Sequence, residues 1–88
     1  MKSDLERLSD EYERAESAFL GAVRAEAGRG HLAIAAREVA VAAGKFNTEA
    51  YRAFRSGVED AWMPLDQLTE RTEVLAELWL DLASAYEA

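Results

Sequence analysis

The chain contains no cysteine, one proline and one histidine among its 88 residues, and only two lysines, Lys2 and Lys45. Without cysteine there is no disulfide and no thiolate metal site, so a zinc framework is excluded and nothing covalent reinforces the core. The single histidine, His31, is preceded at three residues by Gly28, which rules out the paired Glu-x-x-His ligands of a four-helix diiron site within one chain. The same shortage argues against catalysis. A nucleophile–histidine pair would have to be assembled around His31, and neither a Gly-x-Ser-x-Gly elbow nor a Gly-x-x-x-x-Gly-Lys phosphate loop occurs. No catalytic residue, metal or cofactor is therefore expected, and the chain reads as non-enzymatic. Apolar runs are only a few residues long, too short to span a bilayer, and the start Met1-Lys2-Ser3-Asp4-Leu5-Glu6 lacks the apolar stretch of a secretory signal. A cytoplasmic address without membrane association is the expectation.

Positive charge is also scarce. Ten basic residues stand against seventeen acidic ones, for a net charge of -7. The bases are scattered singly among carboxylates, whereas nucleic-acid binding draws its affinity from clustered Lys and Arg displacing counterions. No nucleic-acid partner is expected. An acidic inhibitor that imitates a nucleic-acid backbone is an alternative, but Arg7, Arg14, Arg24, Arg37, Arg52, Arg55 and Arg71 interrupt the acidic surface such a mimic needs.

What the sequence does have is helical periodicity. Leu5, Leu8, Tyr12, Ala15, Phe19 and Ala22 at the front, and Leu65, Leu68, Thr72, Leu75, Trp79, Leu82 and Tyr86 at the back, recur in alternating steps of three and four. That spacing draws one stripe along an α-helix, so each end is an amphipathic rod that needs cover. Ser3 followed by Glu6 has the capping-box spacing and starts the first helix, which Gly28-Arg29-Gly30 should end, with Gly28 suited to a left-handed position. From His31 to Gly44 apolar residues lie nearly all round, Arg37 and Glu38 excepted, which marks this segment as the hub that its neighbours cover. Its alanines permit close approach. Asn47 reads as a cap for a third helix with the stripe Ala50 or Tyr51, Phe54, Val58, Ala61 and Trp62, and Gly57 weakens its middle. Pro64 breaks the chain at Met63 and fits the first turn of a last helix.

The expected fold is thus all-α, one domain over residues 1–88: a compact four-helix bundle, long-short-short-long, with helices near 4–27, 31–44, 48–62 and 64–86. Two rods of roughly 34 Å laid against two shorter helices leave part of each long stripe uncovered. Leu78 and Leu80 flank Trp79 and widen the apolar arc of the last helix beyond one stripe. A domain of this size buries only about 60 to 65% of its unfolded surface, so its own core is thin. These features predict a small acidic protein–protein interaction module, a self-associating adaptor or accessory subunit of a larger assembly. Leu78, Trp79, Leu82 and Tyr86 are its expected interface anchors, and a homodimer is the simplest oligomer. A second class of function is a ligand-responsive regulator that holds a small anion with Arg29 and His31 at the start of a helix.

The order Gly44, Phe46, Ala50, Phe54, Pro64 is similar to that of a tetratricopeptide repeat, but an extra residue separates Phe46 from Ala50 and no second copy follows. In size, acidity and helicity the chain also resembles acyl carrier proteins. It lacks their Asp-Ser-Leu attachment site, offering only Arg55-Ser56-Gly57 in the interior. It is assigned to neither family.

Overall fold

A computed structural model of the chain describes residues 3–57 and 62–88. Three α-helices, and no strand among the described residues, follow one another: α1 Asp4–Arg24, α2 Arg29–Arg55 and α3 Leu65–Glu87. The all-helical expectation holds. The four-helix count does not, because the segment expected at 31–44 and the start of the one expected at 48–62 are joined in one 27-residue helix that ends at Arg55.

The reason lies in what crosses the expected break. Val39, Ala43, Phe46, Ala50 and Ala53 are all buried in helical register, so a turn at Gly44 to Asn47 would throw Phe46 and Ala50 out of the core. A glycine inside a helix costs about 1 kcal/mol relative to alanine, less than the roughly 1.5–3 kcal/mol gained by burying one large apolar side chain. Asn47 is not a cap either. Its Nδ2 donates to the Thr69 carbonyl at 3.0 Å and to Thr72 Oγ1 at 2.9 Å, tying α2 to α3. The phase of the long helix also corrects the expected stripe: Phe46, Ala50 and Ala53 face inward, while Tyr51 and Phe54 are exposed. Val58 and Ala61, expected on that stripe, lie outside the described residues.

The helix ends follow local chemistry, with some reassignment. Ser3 caps α1, its Oγ accepting the Glu6 N–H at 3.2 Å as the capping-box spacing predicts. At the other end of α1, the Ala27 N–H bonds the Ala22 carbonyl around Glu26, whose φ is +55°. The left-handed position after the helix is therefore held by Glu26, and Gly28 is instead the extended N-cap of α2. Gly57, at φ +71°, stands past the end of α2 and not within a helix. α3 starts at Leu65 directly after Pro64, as proline chemistry requires.

Both outer helices lie along α2, which is the hub. No Cα of α1 comes within 8 Å of a Cα of α3 among the described residues. Small side chains line the interface between α2 and α3, where Ala36 and Ala43 on α2 and Ala83 on α3 are all essentially inaccessible. Large aromatics span the wider gap between α1 and α3. Phe19 meets Trp79 edge-on with ring centroids 5.0 Å apart and lies 6.2 Å from Tyr86. Trp79 Nε1 donates to the Tyr12 hydroxyl at 2.9 Å. The result is an elongated body, with Cα extents of 43 × 26 × 14 Å.

Candidate protein interface

The four residues expected as anchors all lie in the C-terminal half of α3. The structure separates them into two roles. Trp79, Leu82 and Tyr86 are half-buried and pack on the core with Leu75. Leu78 is 58% exposed, and Val74, one turn before it, is 50% exposed. Val74 and Leu78 are thus an i,i+4 pair standing beside the half-buried Leu75 and Leu82, and the apolar surface continues from the core out to solvent. Val74 was not singled out in the sequence, although its spacing from Leu78 was the available signal. On α1, Leu20 and Val23 are also exposed.

The rigid support behind this stripe is polar as well as aromatic. The Tyr12 hydroxyl accepts from Trp79 and donates to Glu16 Oε2 at 2.9 Å. Burial pushes the Tyr12 phenol up to about 12, with the Glu16 carboxylate adding to the shift and the Trp79 hydrogen bond opposing it. No buried side-chain nitrogen or oxygen among the described residues is left without a partner. The indole is therefore fixed in one orientation, which preorganises the surface that Leu78 and Leu82 share with it.

The Gly28 to His31 turn is occupied in a different way. Arg29 reaches the end of α3, where its Nε donates to the Tyr86 carbonyl at 2.9 Å and its Nη2 to those of Ala85 and Ala88 at 2.6 and 3.2 Å. These bonds fill acceptors that a helix C-terminus leaves orphaned, and place a cation at the negative end of the α3 dipole. Arg29 is a cap for α3. His31 is exposed on the first turn of α2, and no described hydrogen bond or ion pair joins it to Arg29. About two turns along from Arg29, Arg37 donates twice to the Glu87 carboxylate, at 2.7 and 2.9 Å, and the guanidinium lowers the Glu87 carboxyl from its usual range.

A second apolar patch lies on α2 beside the C-terminal end of α3. Ile34 is 65% and Val41 53% exposed, and a groove beside them is lined by Ala33, Arg37, Glu38 and Glu87. Among the described residues no group of three His, Cys, Asp or Glu side chains gathers to hold a metal, and no helix is long and apolar enough to cross a membrane. The fold and these surfaces define an all-α chain whose distinguishing feature is exposed apolar helix surface. The chain matches no protein-family model, no curated protein and no solved structure.

Proposed function

We propose that the chain is a non-enzymatic protein–protein interaction module, a self-associating adaptor or accessory subunit that offers a helical face to another protein. The observation that carries this reading is the Val74–Leu78 pair, exposed on α3 yet continuous with the half-buried Leu75, Trp79 and Leu82. Apolar side chains placed on a fixed aromatic support are what an amphipathic helix from a second chain can dock against. Nearby charges Glu70, Arg71 and Asp81 give that stripe the mixed polar rim typical of interfaces.

A photo-crosslinking amino acid at position 78, with one at Glu13 on the exposed face of α1 as control, tests the reading both in the purified chain and in the host. Crosslinks to protein that arise from position 78, disappear with Val74→Asp and are absent from position 13 are expected. A position-78 probe that captures no protein in either setting, in a variant whose helicity is unchanged, removes the interface.

A further inference from the structure

Between Ile34 and Val41 the exposed surface of α2 is complementary to itself read in reverse. Reading from Ile34 to Val41, the sequence is Ile-Ala-Ala-Arg-Glu-Val-Ala-Val, with the opposite charges Arg37 and Glu38 at its centre and an exposed branched apolar residue at each end. When two copies of a helix pack antiparallel about a two-fold axis, residues whose numbers share a constant sum lie at the same level. An axis between residues 37 and 38 sets Ile34 against Val41 and Arg37 against Glu38, each pairing made twice.

Resting on the reading of the chain as a self-associating module, we propose that a second copy of this chain docks antiparallel on α2 through Ile34, Arg37, Glu38 and Val41. This leaves the Val74–Leu78 face of α3 free for a different protein.

Charge complementarity carries the choice of occupant. Glu38 is exposed and has no hydrogen bond or ion pair among the described residues. Arg37 gives Nε and Nη2 to Glu87, which holds the guanidinium still and leaves Nη1 without a described partner. In the antiparallel pair that Nη1 faces the Glu38 carboxylate of the partner subunit, so each Arg37 bridges Glu87 of its own chain and Glu38 of the other. The same level rule puts Lys45 opposite Gly30, where no side chain obstructs it. A parallel arrangement in register would instead oppose Arg37 to Arg37 and Glu38 to Glu38, which like-charge repulsion disfavours. A single helix pair of this length buries less than the roughly 1,200 Å² of stable complexes, so the contact is reversible and depends on concentration.

Charge swapping tests the arrangement. Arg37→Glu and Glu38→Arg are each made alone and followed by sedimentation velocity from about 10 µM to 1 mM, the range suited to a small interface. The wild-type mass rises toward a dimer with concentration, each variant alone associates at least tenfold more weakly, and an equimolar mixture of the two regains dimer. Val41→Lys provides a variant that leaves the Arg37–Glu87 pair intact, and it too stays monomeric. Helicity by circular dichroism confirms that each variant is folded.

A wild type that is monomeric throughout overturns the proposal, as do single reversals that associate like the wild type or a folded mixture that stays monomeric. Crosslinking from position 78 is read separately. If it survives while charge swapping has no effect, the α2 contact fails and the interaction module stands; if it fails while the swap restores dimer, the reverse holds.

Discussion

Tyr12 is the residue on which the link between α1 and α3 turns, because it both receives the Trp79 indole N–H and gives its proton to Glu16. Removing its hydroxyl with Tyr12→Phe strands a donor in a half-buried site, which costs about 1–2 kcal/mol and shows as a lower urea midpoint. The same phenol sets an alkaline limit. Its ordinary value of 10 is raised to about 12 by burial, with Glu16 reinforcing the shift. Between pH 10 and 12 the unfolded chain gives up a proton that the folded chain keeps, so this contribution is whole below pH 10 and is lost as pH rises through the folded value. Wild-type stability measured from pH 9 to 12 should fall more steeply than that of Tyr12→Phe. Glu26 presents the opposite case, a residue whose own conformation is costly. At φ +55° its Cβ crowds the backbone, so Glu26→Gly should raise stability by about 1 kcal/mol, and an unchanged denaturation midpoint would count against strain at that turn.

At the scale of elements, α2 shows how signals of equal local strength lose to burial. Gly44 and Asn47 resemble a stop followed by a cap, yet the buried series Val39, Ala43, Phe46, Ala50 and Ala53 passes through both without a change of phase. Space around Gly44 is open, with nothing within 4 Å of where a Cβ would lie. Gly44→Ala should therefore stabilise the chain by about 0.5–1 kcal/mol, since it only improves helix propensity. Had a turn been needed there, the same change would be destabilising. Asn47→Ala should do the reverse of Gly44→Ala, losing about 1 kcal/mol by removing the hydrogen bonds that tie α2 to Thr69 and Thr72 of α3. Both changes are read by urea denaturation of the purified variants.

The terminal helices were legible because their stripes are long and each has a chemical start, Ser3 for α1 and Pro64 for α3. The middle was not, because asparagine bonds a neighbouring helix as readily as it caps its own. The candidate surface was legible only in part. Spacing placed Leu78, Trp79, Leu82 and Tyr86 on one arc, but which of them meet solvent depends on the gap between α1 and α3, and that gap is set by three-dimensional packing on α2. The roles of Arg29 and Arg37 as clasps on the end of α3 rest on pairings 57 and 50 residues apart in sequence, which no local pattern announces.

At the scale of the whole molecule, shape and surface point the same way. The radius of gyration is 14.0 Å, against roughly 12 Å for a compact domain of this length. The chain exposes 5839 Å², where a compact monomer of its mass exposes roughly 5100 Å². The excess is comparable to the roughly 800 Å² that each partner buries in a standard protein interface, and exposed apolar side chains on α2 and α3 contribute to the exposed surface. Self-association then has a thermodynamic signature that needs no knowledge of another partner. A dimer that forms only from folded chains stabilises the fold by mass action, by about 1 kcal/mol once the concentration is several times the dissociation constant. For a domain of this size that corresponds to a rise of roughly 4–8 °C in the unfolding midpoint. The midpoint of the wild type should climb with chain concentration, while that of Arg37→Glu stays flat, because this change removes the association and only an exposed ion pair within the chain. Scanning calorimetry across the concentration series distinguishes the cases: parallel flat lines for both proteins would mean that the excess surface serves no second copy of this chain.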